Sequence, residues 1–304
     1  MGQDITLQRF QAATDICGFV PREFLKAVKS PSTLGKAKQV IRDAIKSCRD
    51  IASAMDDFIG DLKVPHCAFL LCPGDEQRTQ LNCLVKPVSD WAMDCIDATL
   101  DERSEDAAYK LYVRLEGSPS AASFRGTLWE RRVHRYFRSL PTPWSFTIRA
   151  LSDSSTLEWG PFEDMNFFNF VPGQMLAGHL AQCVAAGNPG YLRPVSSNFT
   201  SFDCIVYRPT DALAGLLVTT THKHLVKAKG LEGVQALLSP RNPLLSSLRP
   251  TVGKPWIILF VVPSPMNSSY ITQQIDGGSP IWLRKTAQYV LGLDVQKVLH
   301  RSSK

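Results

Sequence analysis

Two acidic residues in this 304-residue chain could do chemistry together. Glu130 lies in FRGTLWERRVHRYFRSL, residues 124–140, as a single carboxylate among five arginines and one histidine. Asp203 lies in FDCIVYR, residues 202–208, where apolar neighbours predict a buried strand. Because a buried carboxylate is costly without a partner, we expect Asp203 to bind a metal ion or to pair with an arginine. A divalent cation held by the carboxylate oxygens of two such acids could activate a water molecule to attack a phosphodiester.

The basic residues around Glu130 allow two interpretations. The apolar spacing of 124–140 predicts a helix, on which these side chains could form an ordinary solvated face. They could equally contact phosphates, because nucleic-acid affinity comes first from such cations. The side chains concerned are Arg131, Arg132, His134, Arg135 and Arg138.

The elements that would position these residues change in character along the chain. The first part is helix-rich, with one pair of short strands. The polar stretch EGSPSAAS, residues 116–123, favours a boundary between a region 1–118 and a domain 119–304. In the first region, apolar spacing predicts helices at 3–29, restarted at Pro21, at 32–60 and at 89–102, and strands at 67–72 and 80–87.

The second region alternates strands with helices. An apolar stretch occupies 165–186, and a closing helix is predicted at 281–299. Continuous apolar strands of this kind are typical of an α/β domain whose sheet is covered on both faces. The predicted strands are at 144–151, 202–208, 215–221 and 256–262.

Composition bounds the functions that need to be considered. The net charge of +6 is compatible with a polyanionic partner. No apolar run reaches the roughly 18 residues that a membrane span needs, and the N-terminus lacks the pattern of a secretory signal.

Eight cysteines without a regular framework favour reduced thiols and an intracellular location, nuclear or cytoplasmic. MGQDIT fits the short pattern for N-myristoylation at Gly2, which would anchor only weakly.

Several motifs together resemble a known family, the fungal-type Crinkler effectors and the related retrotransposon-hot-spot proteins. The resemblance implies a restriction-endonuclease-like fold, a central mixed sheet flanked by helices, belonging to the nuclease superfamily named for its Asp, Asp/Glu-x-Lys motif. It also implies DNA as partner, Mg²⁺ as cofactor, and Glu130 and Asp203 as metal ligands. The motifs are GTLWE (126–130), YLRPVSSNFTSFD (191–203), LLVTTTHKHLVKAKGLEGV (216–234), KPWIILFVVPSP (254–265) and IWLRKTAQYVLGL (281–293).

The resemblance extends into the first region, without the ATPase core of the longer relatives. DICGFVPREFLKAV (15–28), HCAFLLCPGDEQR (66–78) and VKPVSDWAMDCI (85–96) resemble the segment that joins that core to the nuclease-like domain. SPSTLGKA (30–37) is not a phosphate-binding loop, because the leading glycine is absent and Ala37 replaces the metal-binding Ser/Thr. We therefore predict no nucleotide hydrolysis and no nucleotide cofactor, and a separate ATPase is a possible partner.

The third catalytic position departs from the family pattern. The family has Gln or Glu and then Lys or Thr two residues later, and matching on His224 places this pair at Val218 and Thr220. Valine cannot bind a metal ion, and threonine lacks the fixed charge of lysine. Lys223 could reach in from the strand end. His224 is assigned to the nucleic-acid-binding edge.

Three functions follow from these observations. The first is a degenerate or weakly active nuclease that binds nucleic acid, and it is preferred because of Val218. The second is an active Mg²⁺-dependent DNA endonuclease that uses Glu130 and Asp203, with Thr220 or Lys223 replacing the usual lysine. The third is an effector module that engages a partner protein and binds no nucleic acid.

Overall fold

The computed structural model describes residues 5–18, 20–53, 66–73, 83–171, 174–195, 199, 202–210, 213–277 and 279–300. The chain divides into two compact units: Met1–Trp129 together with Leu299–Lys304, and Glu130–Val298. The predicted boundary at 118/119 thus precedes the observed division at 129/130. Gly2, the predicted acylation site, lies outside the described residues, as do parts of the predicted helix at 32–60 and the strand at 80–87.

Short helices with well-formed N-termini build the first unit. Ser30 and Thr33 form a capping box, and the Ser89 hydroxyl accepts a hydrogen bond from Ala92 N at 3.1 Å. Strands β1 (Phe69–Pro73) and β2 (Cys83–Pro87) form an antiparallel pair. The helices are α1 (Leu7–Cys17), α2 (Pro21–Ala27), α3 (Pro31–Ser47), α4 (Asp90–Arg103), α5 (Ala107–Arg114) and the first part of α6 (Ala122–Ser139).

An eight-stranded mixed sheet forms the second unit, in the order β4-β3-β12-β10-β8-β7-β6-β5. Strands β8, β10 and β12 are parallel, and β7 is antiparallel to both β6 and β8. The strands are β3 (Trp144–Ala150), β4 (Thr156–Phe162), β5 (Asn166–Phe170), β6 (Gly190–Pro194), β7 (Cys204–Tyr207), β8 (Ala214–Val218), β10 (Trp256–Pro263) and β12 (Thr286–Leu293). The predicted mixed α/β class is confirmed.

Helices and a small second sheet complete this unit. Strands β9 (Val226–Lys227) and β11 (Ile275–Asp276) pair in parallel. Every residue of β7, β8 and β10 is buried, as the continuous apolar runs predicted. The remaining helices are α7 (Gln174–Ala186), α8 (Ala228–Leu237), α9 (Pro243–Ser246), α10 (Trp282–Lys285) and α11 (Val295–Leu299).

The predicted closing helix at 281–299 is wrong. Only its two ends are helical, as α10 and α11, and its middle forms β12. This strand pairs along its whole length with β10 and also contacts β3, so it lies inside the sheet. Long-range pairing of the apolar YVLGL segment therefore overrides a spacing that also suits a helix.

Further elements also differ from the sequence analysis. The segment 156–162, for which no element was predicted, forms β4 on the sheet edge next to β3. Residues 190–194 form β6, and residues 107–114 form α5. None of the described helices has the length and hydrophobicity that crossing a membrane requires.

Candidate active site

Glu130 lies on α6, at the point where this helix enters the second unit. The helix forms because apolar residues recur on one face, and Val133 and Phe137 are fully buried on that face. The Glu130 side chain is 36% exposed. It therefore lies at the margin of the buried face, with access to solvent and to the sheet.

Asp203 directly precedes β7 and is held by the neighbouring strand. Its Oδ2 accepts a hydrogen bond from Val218 N at 2.7 Å, and its backbone N–H donates to Leu216 O at 2.9 Å. Two bonds to β8 thus fix both the backbone and the carboxylate of Asp203. The site residue is positioned by the sheet, which makes it rigid.

The pKa of Asp203 is raised from 3.8 to about 7. Burial is the largest cause, because it disfavours the charged carboxylate, and the negative charge of Glu130 is the second. The fold thus brings these two acids, far apart in sequence, within electrostatic reach of each other. The sequence analysis selected both acids, and their joint role as metal ligands stays a prediction.

Arg193, on β6, acts on the same carboxylate in the opposite direction. Its positive charge lowers the pKa of Asp203, as does the hydrogen bond from Val218. The pKa nevertheless stays well above its usual range, so Arg193 offsets the burial of Asp203 only in part. Of the two predicted partners for Asp203, an arginine is therefore present but leaves negative charge uncompensated.

A chain of buried polar side chains lies next to Glu130. His134, one helical turn further along α6, has its Nε2 at 3.8 Å from Glu130 Oε1, which is too long for a hydrogen bond. Its Nδ1 lies 2.6 Å from the Tyr191 hydroxyl, which also contacts the Cys204 thiol. Burial lowers the pKa of His134, so the imidazole is neutral at pH 7. The ring orientation is fixed by Tyr191, and one nitrogen faces Glu130.

The arginines of α6 do not all lie on one surface. Arg132 is only 1% exposed, so it cannot contact phosphate, and the predicted nucleic-acid-binding role does not fit its position. Arg135 and Arg138 are exposed, and Arg131 is half-buried. Spaced by four and then three residues, these three follow one side of the helix next to Glu130. We call Arg131, Arg135 and Arg138 the arginine stripe.

The other predicted site residues follow the end of β8. Thr220 lies in a bend, where the strand has already ended at Val218. Lys223 and His224 line a cavity that Asp203 also lines, whereas Thr220 is not among its described lining residues. Burial lowers the pKa of His224, which favours the neutral ring at pH 7. The structure thus places Lys223 and Asp203 on the same cavity.

Two acids within electrostatic reach of each other could supply two ligands to a hydrated magnesium ion. Among the residues that the structure describes, no three His, Cys, Asp or Glu side chains come together as a metal site would require. Mg²⁺ commonly keeps several water ligands and takes one or two carboxylates. The excess negative charge between Glu130 and Asp203 is of the kind that such a cation would neutralise.

Arg193 and Tyr191 were missed as site residues by the sequence analysis. Both belong to the quoted motif YLRP, which was not assigned as a strand. In a strand, residues two apart face the same side, so these two share the face towards His134 and Asp203. Assigning β6 from the sequence would have shown that the two residues share a face, but not that this face lies next to Asp203.

Comparison of the chain with known proteins identifies no relative. We found no matching family model, no matching curated protein and no matching solved structure.

Proposed function

We propose that the second unit is a restriction-endonuclease-like domain of the Crinkler type that binds nucleic acid, holds a divalent cation at Glu130 and Asp203, and cleaves poorly. The observation that carries this proposal is that Asp203 is buried within electrostatic reach of Glu130, and that burial first and the charge of Glu130 second raise the pKa of Asp203 to about 7. Perturbed carboxylates of this kind are enriched at functional sites.

The arrangement of elements supports the proposal. The superfamily resembled by this sequence places one acid on a helix before the sheet, an Asp at a strand, and its third motif on the adjacent strand. Here Glu130 lies on α6, Asp203 adjoins β7, and β8 is the hydrogen-bonded neighbour of β7. The third motif would then coincide with the end of β8.

Each residue would contribute in a distinct way. Glu130 and Asp203 would hold Mg²⁺, which when bound would lower the pKa of a water and neutralise charge on phosphorus. The Val218 N–H fixes one Asp203 oxygen at 2.7 Å, so that the other would be the one to bind the metal ion. His134, itself held by Tyr191, would be a polar neighbour of Glu130 at the site. The arginine stripe would place the phosphates alongside.

Val218 is the reason to expect poor cleavage. It occupies the position where the family has a metal-binding Gln or Glu, and its side chain is apolar and 7% exposed. Thr220, at the lysine position, is in a bend beyond the strand. Removal of one stabilising donor lowers rates by roughly a hundredfold or more, so loss of both leaves binding as the main activity.

One observation favours the second candidate, an efficient endonuclease. Arg193 places a fixed positive charge near Asp203, as the missing lysine would. A cation supplied from β6 could stabilise the attacking water or the phosphate. The two candidates therefore differ in whether Arg193 suffices for cleavage.

Rebuilding the family motif tests the assignment of the site. We expect the wild type to nick plasmid DNA slowly with Mn²⁺, and Val218→Gln/Thr220→Lys to nick it about a hundredfold faster. Adding Asp203→Asn to the rebuilt variant should abolish the gain. Wild-type nicking that survives Glu130→Gln/Asp203→Asn would show that the site lies elsewhere, and fast wild-type nicking would favour the efficient endonuclease.

Charge reversal on the arginine stripe tests nucleic-acid binding. Arg135→Glu/Arg138→Glu should weaken binding of a labelled DNA duplex at least tenfold. The number of phosphate contacts inferred from the salt dependence of binding should fall by about two. Arg241→Glu/Arg284→Glu is the matched control, because both of these arginines are also exposed. Equal losses of DNA affinity in the two variants would show that the arginine stripe acts only through its contribution to the overall charge. No binding by the wild type would favour the protein-interaction function.

A further inference from the structure

A large cavity opens beside Asp203. Its volume is about 1040 Å³, at the upper end of small-ligand pockets. One wall comes from the segment that follows β8, and another from residues 271–274 before β11. We call this cavity the β8 pocket.

The wall after β8 is basic. Lys223, Lys227 and His222 are exposed and line the pocket, and His224 is half-buried beside them. Among the described lining residues two lysines face a single acid, Asp203, so the lining carries a net positive charge. The pocket therefore attracts an anion.

The basic wall is held in place before any ligand arrives. Gln273 is 7% exposed, and its Oε1 accepts from His224 N at 2.7 Å while its Nε2 donates to His222 O at 3.0 Å. The backbone of Gln273 is in turn bonded twice to the Gln288 amide, each bond at 2.8 Å. A wall fixed in this way loses little conformational entropy on binding.

Part of the pocket lining is apolar. Leu225 is 57% exposed and Ile271 is 66% exposed, although both are large hydrophobic residues. Phe199 lines the same cavity, and its ring is held edge-on by Phe170 at 5.3 Å. The floor is Phe202, whose ring lies against Gly215, where any Cβ would clash at 2.2 Å. Exposed apolar side chains beside lysines favour a ligand with a flat apolar part and a negative part.

We propose that the β8 pocket receives an unpaired nucleotide of the nucleic acid bound by this domain. The base would pack against Phe199, Leu225 and Ile271, and its phosphates would contact Lys223 and Lys227. Stacked and paired bases inside a duplex cannot enter such a pocket, whereas single strands and extrahelical nucleotides can. The domain would thus prefer unpaired over fully paired DNA. This inference depends on the proposed nucleic-acid binding.

Three labelled DNAs of equal length and labelling measure the preference by fluorescence anisotropy: a single strand, a perfect duplex, and the same duplex with one bulged nucleotide. The wild type should bind the first and third about tenfold more tightly than the second. Leu225→Ser/Ile271→Ser should remove this preference. The affinity for the perfect duplex should stay within about twofold of the wild-type value, because the arginine stripe supplies the contacts to duplex phosphates. Leu244→Ser/Val252→Ser, also exposed apolar residues, is the matched control and should keep the preference.

The charged wall is tested in the same assay. Lys223→Glu should weaken binding of the bulged duplex more than that of the perfect duplex. Lys254 is also an exposed lysine, but it precedes β10 and so lies at the end of the parallel strands away from the pocket. Lys254→Glu should therefore weaken binding of the bulged and the perfect duplex equally. Adenosine monophosphate should compete for the bulged duplex at concentrations where inorganic phosphate does not.

The outcomes separate this inference from the function on which it depends. If the wild type binds none of the three DNAs, both fail. If it binds all three equally, or if Leu225→Ser/Ile271→Ser weakens all three alike, the β8 pocket inference fails and nucleic-acid binding stands. An acidic peptide that competes better than adenosine monophosphate would assign the pocket to a protein partner and would also overturn it.

Discussion

Asp203 makes stability depend on pH in a direction opposite to that of a salt-bridged carboxylate. Its pKa is about 7 in the folded chain against 3.8 as the ordinary value, so folding favours the protonated form. Stability is therefore full below about pH 4 and is lost as the pH rises towards 7. A site that holds two acids together is intrinsically costly above neutral pH, which a bound cation would relieve.

Replacement of Asp203 by asparagine should remove this cost. Asparagine can still accept the hydrogen bond from Val218 but carries no charge. We expect Asp203→Asn to be more stable than the wild type by about 1 to 3 kcal/mol at pH 8 and to lose that advantage below pH 4. Urea unfolding at both pH values measures the difference, with the exposed Asp276→Asn as control. A variant less stable than the wild type at pH 8 would contradict the raised pKa.

Arg193 should separate cation binding from cleavage. Its charge lies near the two acids, so removing it makes their surroundings more negative. At pH 8.5, above the raised pKa of Asp203, Arg193→Gln should bind Mn²⁺ several-fold more tightly by calorimetry, since a competing positive charge is gone. If Arg193 also replaces the missing lysine, the same variant should nick plasmid at least tenfold more slowly. Unchanged Mn²⁺ affinity would place Arg193 outside the site.

At the scale of elements, β12 depends on close packing that only glycine permits. A Cβ added to Gly292 would meet the Asn267 side chain at 2.7 Å and Ser264 Cα at 3.2 Å. We expect Gly292→Ala to destabilise the chain by about 1 to 3 kcal/mol, because overpacking forces neighbours to move. Gly253→Ala, where nothing lies within 4 Å, should be close to neutral in the same urea titration. Equal stability of the two variants would argue against the position of β12 inside the sheet.

Elements that depend on local pattern could be predicted, and those that depend on partners could not. Helix α6 and strands β7 and β10 carry periodic or continuous apolar residues that are legible in the sequence. Strand β12 was mistaken for helix because its pairing with β10 is not encoded locally. The burial of Arg132 was likewise missed, although it lies one turn after the buried Leu128 on the same helix face.

The candidate site follows the same division. Glu130 and Asp203 could be selected from residue type and surroundings alone, since an acid in an apolar strand is unusual. Arg193 enters the site through sheet order, because β6 lies next to β7, and the sequence does not show that order. The β8 pocket could not be predicted, because it depends on the hydrogen bond between Gln273 and His224, which lie far apart in the sequence.

At the scale of the whole chain, the polar stretch at 116–123 should not be a place where the chain can be cut. Phe124, Leu128 and Trp129 follow it on α6 and are fully buried. Within the first unit, the Phe124 ring lies 6.4 Å from Phe69 and the Trp129 ring 6.0 Å from Tyr112. A fragment 119–304 loses those partners and exposes three large apolar side chains.

We therefore expect fragment 119–304 to aggregate, or to unfold at least about 5 °C below the full chain in calorimetry. Phe124→Ser/Trp129→Gln separates the causes. These changes should make the fragment more monodisperse, because the exposed apolar surface shrinks, yet they should destabilise the full chain, where the same rings fill a core. A fragment as stable as the full chain would restore the boundary at 118/119 that composition indicates. The opposite effect of one pair of substitutions in the two chains would show that α6 belongs to both units.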